Sequence, residues 1–192
     1  MSKLEIKLDN YKEFFYSEHG LKLISQIIES GDYGATKKIA KWKKCPSKVL
    51  DKIAIKYMTL GEAKLPRKDM LEMLECVAEN PKISVKMLGK ILNFAVGHLE
   101  DYRYEASGVL EEIAESKKLT ADIAAVLYKV ALENSLDEVI EELAENQNTP
   151  DNILYNIFQR FDEGTIAYRN ASEEIIIRYK KLQELLAKEE NN

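Results

Sequence analysis

One sixteen-residue pattern occurs four times in this chain, and a chain that repeats itself at such intervals builds its core by stacking like units. The copies are IAKWKKCPSKVLDKIA from Ile39, VAENPKISVKMLGKIL from Val77, IAESKKLTADIAAVLY from Ile113 and LAENQNTPDNILYNIF from Leu143. They align without a gap. The second position is alanine in every copy (Ala40, Ala78, Ala114, Ala144), at spacings of 38, 36 and 30 residues. That is the length of a helix pair, and Ile166 with Ala167 reads as the start of a worn fifth copy.

Each copy reads as a helix end, a tight connection and a second helix start. Apolar residues recur at three and four before the alanine, as in Met70, Leu71, Leu74 and Val77, or Val139, Ile140 and Leu143. Those spacings mark the buried stripe of a helix. Ser84 and Thr120 are expected to cap the second helix, and Thr149 to cap it with Pro150 at the first helical position. Cys45-Pro46 follows the same logic with a weaker cap. The alanine suits a point where two helix backbones approach, since a larger side chain would push them apart. Asn80 and Asn146 lie two residues beyond it, where an asparagine ends a helix by taking a left-handed backbone or bonding its own main chain.

VAENPKIS and LAENQNTPDNIL resemble the signature of the variant leucine-rich repeat: a small residue, Asn-Pro, Asn, Thr-Pro and an aliphatic pair. This all-helical repeat is similar in style to HEAT and armadillo repeats. LEDYRYEASGVLEEIAES resembles the part preceding the signature, with Arg103 and Ala106 in place. The resemblance runs from Tyr33 to Phe158. Only the fourth copy keeps Thr-Pro and only the second keeps Asn-Pro, and the spacings exceed the family's. A family prototype carries an iron–sulfur cluster on a run of cysteines that this chain lacks, so no cofactor carries over. The resemblance implies a scaffold that binds macromolecules.

The expected fold is therefore all-α, a short right-handed α-solenoid of about four to five helical-hairpin repeats with helical caps. Residues 1–32 are expected to form an N-terminal cap, 33–170 the repeats, and 171–192 a capping helix and tail. Within the last, an amphipathic helix over 173–187 would run through Ile176, Tyr179, Leu182 and Leu186. Tyr57–Arg67 and Asn93–Glu105 read as long connections projecting from one edge of the stack.

Catalytic chemistry finds few residues to work with. His19 and His98 have no second ligand at metal spacing, and no phosphate-cradling glycine loop or nucleophile elbow occurs. Cys45 and Cys76, the two cysteines, are expected to be reduced and buried. Cys45 has lysines nearby but no base to activate it. Glu111 with Glu115, and Glu138 with Glu142, stand one helical turn apart on faces read as solvated. The reading is a non-enzyme without cofactor or metal. No stretch approaches the ~18 uncharged apolar residues of a membrane span. MSKLEIKLDNYKEFF mixes acids with bases and is not a secretory signal, so a cytoplasmic location without membrane partners is expected.

Charge is the informative feature. Residues 36–68 hold eleven bases and two acids; residues 100–145 hold four bases and thirteen acids. Blocks of this size steer oppositely charged partners. The basic block reads as a solvated face or as an electrostatic groove. In the second case Lys41, Lys44 and Lys48 contact the partner and Trp42 stacks on it, although packing at a repeat junction explains Trp42 equally well. The acidic block, with Glu138 and Glu142, reads as solvation, as a docking surface or as nucleic-acid mimicry. Tyr102 and Tyr104 favour docking, because tyrosine supplies rigid contact area. The leading expectation is a protein-interaction scaffold using its concave face and projecting loops. The alternative is a nucleic-acid-binding solenoid using the stripe Lys37–Lys68. Head-to-tail self-association is a third use of the dipole.

Overall fold

The computed structural model describes residues 16–61 and 63–189, with side chains to residue 181; the expectations for residues 1–15, Leu182, Leu186 and the tail lie outside these. Among the described residues there are ten helices and no strand. We label them α1 (Glu18–Ser30), α2 (Tyr33–Ala40), α3 (Ser47–Thr59), α4 (Arg67–Ala78), α5 (Val85–Val96), α6 (Arg103–Glu115), α7 (Ala121–Asn134), α8 (Asp137–Glu145), α9 (Asp151–Arg160) and α10 (Ile166–Glu189). The chain divides into two compact units between Ile91 and Leu92.

The four copies of the pattern adopt one local structure. In each, positions 1, 2, 7, 11, 12 and 15 are buried; the last, for instance, is Ile53, Ile91, Leu127 or Ile157, all fully buried. The backbone N–H of position 7 donates to the carbonyl of position 4 throughout: Cys45 to Trp42 (2.8 Å), Ile83 to Asn80 (3.0 Å), Leu119 to Ser116 (2.9 Å), Thr149 to Asn146 (2.9 Å). Position 8 then starts the second helix. Ser84 Oγ accepts from Met87 N at 3.2 Å and Thr120 Oγ1 from Ile123 N at 3.4 Å, as their residue types predict.

The two proline copies correct the expectation by one residue. Pro46 and Pro150 are themselves the N-caps, with extended backbones (ψ 137° and 144°), and Ser47 and Asp151 open the helices. Neither Cys45 nor Thr149 caps. Both occupy position 7, where the side chain is buried in every copy, as Ile83 and Leu119 are in the other two. Thr149 is 1% exposed and its hydroxyl has no hydrogen-bond partner.

Asn80 and Asn146 do more than end a helix. Asn80 Oδ1 accepts from Lys82 N at 3.0 Å, an Asx turn, while its amide donates to the carbonyls of Ala40 (2.6 Å) and Trp42 (2.9 Å). Asn146 repeats this: Oδ1 accepts from Asn148 N at 2.8 Å, and the amide donates to Ala114 (2.6 Å) and Ser116 (3.0 Å). In both cases the targets are positions 2 and 4 of the preceding copy. The asparagine thus satisfies the position-2 carbonyl at the helix C-terminus, adds a second donor to the position-4 carbonyl that already accepts from position 7, and joins successive pairs. Neither residue has a left-handed backbone; among the described non-glycine residues only Ser135 does, ending α7 at φ 52°.

In the N-terminal unit α1 packs on α2 and α3, and α4 on α2 and α3. Lys52 pairs with Glu29 at 2.6 Å, and Lys56 donates to the carbonyls of Ile28 and Glu29, so α3 closes the end of α1. In the C-terminal unit α8 packs on α6 and α7, and α10 lies along α8 and α9. Arg103 Nη2 donates to the carbonyls of Asn134 (2.5 Å) and Ser135 (3.1 Å), tying the start of α6 to the end of α7. Arg178 of α10 reaches the carbonyls of Gln147 (2.9 Å) and Thr149 (2.8 Å) and the Asp151 carboxylate.

Further expectations are corrected. Residues 166 and 167 open α10 rather than closing a fifth first helix. Ile176 (49% exposed) and Tyr179 (61%) face solvent, so they do not form the predicted buried stripe; Ala167 and Ala171 carry the buried face instead. The connections are shorter than expected, because residues 57–59, 93–96 and 103–105 are helical.

Candidate interaction surfaces

The acidic surface of the C-terminal unit is built from the ends of α6 and α8. Positions just before and after the anchor alanine place Glu111 and Glu115 on α6, and Glu141, Glu142 and Glu145 on α8. Because α6 and α8 pack together, Glu115 of the first shares a groove with Glu142 and Glu145 of the second. That groove, of about 580 Å³, has Glu115, Glu142, Glu145 and Glu174 in its lining together with Lys117, and Glu174 is paired with Arg178 Nε at 2.8 Å. Burial, followed by the negative charges of Glu115, Glu145, Glu111 and Glu141, holds the Glu142 carboxyl above the usual carboxylate range. Glu141 is raised by burial and by Glu138 and Asp137, against Arg169. Like charges held this close favour a proton or a cationic partner.

The predicted site residues separate into different environments. Glu138 is exposed on the first turn of α8, and Glu142 is half-buried in the groove. Glu142 is thus less exposed than Glu138, because it lies in the groove beside Glu115 of α6. Tyr104, at the start of α6, is 85% exposed, whereas Tyr102 is half-buried and forms the N-cap. Some 11 residues of helix, about 16 Å at 1.5 Å per residue, separate Tyr104 from Glu115.

Lys41, Lys44 and Lys48 are exposed around the first turn. Trp42 is not: at 7% exposure it belongs to the core, with its carbonyl accepting from Asn80 and its ring 6.2 Å from that of Tyr16. Of its two open readings, packing at a repeat junction is the one the structure supports, and a stacking role is overturned. Position 4 of the pattern is where successive pairs meet, and an indole placed there is enclosed. Part of the basic stripe is also consumed internally. Lys37 Nζ donates to Glu72 Oε1 at 2.6 Å, while Tyr33 Oη–H donates to Glu72 Oε2 at 2.7 Å. These two bonds hold the Glu72 carboxyl below its ordinary range.

Cys45 and Cys76 are both buried and unbridged. Burial pushes the Cys45 thiol up to about 12 and the Cys76 thiol to about 11, the latter against the pull of Lys41 and Lys37. Neither supplies a thiolate near neutral pH. His98 donates through Nδ1 to the Phe94 carbonyl at 2.7 Å and stacks on the Phe94 ring. Among the described residues no three His, Cys, Asp or Glu side chains converge as a metal site, and no helix is long and apolar enough to cross a membrane. No protein-family profile, curated protein or solved structure matches this chain.

The most informative feature missed in the sequence is the reach of Asn80 and Asn146 to the preceding copy. Their recurrence at one aligned position was the available signal.

Proposed function

We propose that this protein is a non-enzymatic interaction scaffold, a short α-solenoid in the manner of variant leucine-rich or HEAT-like repeats, whose acidic surface takes a basic segment of a protein partner. The observation that carries the reading is the gathering of Glu115, Glu142 and Glu145 in one groove, with Glu142 raised by burial and by its neighbours. A fold that merely needed solubility would spread these charges. Held together, they destabilise the free protein, and a bound lysine or arginine side chain relieves that cost. Tyr104 offers an exposed aromatic on the same helix for an apolar anchor. The repeated turn, fixed by its asparagines, supplies a rigid frame on which such a surface is preorganised.

The test is affinity purification from nuclease-treated lysate with the wild-type chain and with the combined variant Glu111→Gln, Glu115→Gln, Glu142→Gln, Glu145→Gln. A discrete protein retained by the wild type and lost from the glutamine variant supports the reading, and Tyr104→Ala should weaken the same protein selectively. Equal recovery with both chains overturns it.

A further inference from the structure

The repeat alignment places lysines in register on the second helices of the N-terminal unit. Position 6 is Lys44 in the first copy and Lys82 in the second, position 10 is Lys48 and Lys86, and position 14 is Lys52 and Lys90. Lys82, Lys86 and Lys90 lie outside the basic stripe that the composition of residues 36–68 picks out. Their significance comes from the fold.

Two contacts make these columns neighbours. Ser84 Oγ, at the N-cap of α5, lies 3.0 and 3.1 Å from the two carboxylate oxygens of Asp51 on α3. Asn80 bonds the Ala40 and Trp42 carbonyls across the preceding turn. The start of α5 is therefore pinned beside α3, with Lys48 one turn before Asp51 and Lys86 two residues after Ser84. Asp51, the carboxylate of α3, is already engaged by the serine hydroxyl, and α5 carries no carboxylate at all. Lys44, Lys48, Lys82, Lys86 and Lys90 are all exposed. Among the described residues none of the five forms an ion pair, whereas Lys52 is held by Glu29.

We propose that this lysine array on α3, α5 and their preceding turns binds the phosphate backbone of a nucleic acid. The chemistry favours an extended polyanion over a small one. A single phosphate is held by donors that converge on one point, while these ammonium groups are spread over the starts of two helices and their preceding turns, Lys86 and Lys90 standing one helical step of about 6 Å apart. Duplex DNA presents one negative charge per ~1.7 Å of axis, so an array of this kind neutralises several phosphates at once and releases their counterions. Flexible point charges on long stems make such contact without reading sequence. This surface is independent of the acidic groove proposed to hold a protein.

The test uses the full chain and a fluorescein-labelled DNA duplex of roughly 20 base pairs, with a single-stranded RNA of the same length, followed by anisotropy across a salt series. The triple variant Lys48→Ala, Lys82→Ala, Lys86→Ala should bind at least about tenfold more weakly at low salt, and the slope of log affinity on log salt should fall by about one per lysine removed. The charge-matched control Lys22→Ala, Lys38→Ala, Lys64→Ala should stay within about threefold of wild type. Arginine at positions 48, 82 and 86 should restore binding, which separates lost contact from lost fold. Absence of salt-dependent binding to either probe overturns the proposal. So does equal loss in array and control variants, or binding confined to phosphatidylserine vesicles.

Discussion

The same turn is built in both halves of this protein, and the two halves dress it with opposite charge. In the N-terminal unit Asn80 bonds the carbonyls of Ala40 and Trp42; in the C-terminal unit Asn146 bonds those of Ala114 and Ser116, with distances that agree to about 0.1 Å. Residues 1–91 nevertheless carry 18 Lys and Arg against 12 Asp and Glu, a net of +6, while residues 92–192 carry 10 against 21, a net of -11. Position 10 shows the divergence in one column: Lys48 and Lys86 in the first unit, Asp122 and Asn152 in the second. The anchor alanine, the inward plug and the cap are constrained by packing and by backbone hydrogen bonds. The outward positions are free to differ, so one frame presents two unlike surfaces.

The asparagine bonds give the sharpest test of the shared frame. Asn80→Ala leaves the buried Ala40 carbonyl without its donor and the Trp42 carbonyl with the Cys45 N–H alone, and should cost about 3 kcal/mol, with Asn146→Ala, at a less buried site, costing about 2 kcal/mol, by denaturant unfolding. Equal losses would mean that burial does not set the difference. A loss below about 0.5 kcal/mol for both would remove the asparagine from the account of the frame.

The plug position separates the halves next. Thr149 buries a hydroxyl without a partner where Ile83 fills the same place with carbon. Thr149→Val keeps the shape and removes the unpaired group, so it should stabilise the protein by about 1 kcal/mol, seen as a Tm rise of about 2–4 °C. The matched change Ile83→Thr should destabilise.

The smallest expected effect is the pH response, and its sign differs between units. Glu29 and Glu72 are lowered, chiefly by their bonds to Lys52 and Lys37 respectively. Their stabilisation is present above the ordinary carboxylate range and is lost as pH falls through the depressed values. Glu141 and Glu142 are raised, so the folded C-terminal unit takes up protons more readily than the unfolded chain and gains stability as pH falls from neutral towards that range. Glu75, raised by burial, opposes the trend within the N-terminal unit. Hydrogen exchange at pH 7 and pH 5 should show protection rising in α6 and α8. Glu142→Gln should raise stability at pH 7 by a few tenths of a kcal/mol and flatten the C-terminal response.

How much of this was legible depends on which residues are read together. Helical periodicity and the four alanines mark the helix pairs without any coordinates, because burial imposes its spacing on the sequence directly. The caps at Ser84 and Thr120 are also readable, since the hydroxyl bonds within its own turn. Pro46 and Pro150 were displaced by one residue when each copy was read alone; aligned with Ser84 and Thr120, they fall on the cap column. Trp42 kept two readings open for a different reason. Its lysine neighbours are exposed, but the indole itself is enclosed, with its ring 6.2 Å from that of Tyr16. The long-range partners of Asn80, Arg103 and Arg178, 27 to 40 residues away, leave no local trace.

The most direct measurement is a double comparison in one affinity purification, performed with and without nuclease. It uses the wild-type chain, the four-glutamine variant of Glu111, Glu115, Glu142 and Glu145, and the three-alanine variant of Lys48, Lys82 and Lys86. The account predicts that the protein partner is lost with the glutamine variant alone and that nucleic acid is lost with the alanine variant alone. Loss of both ligands through the same variant, or retention of both through each, would contradict the claim that one repeated frame carries two separate surfaces.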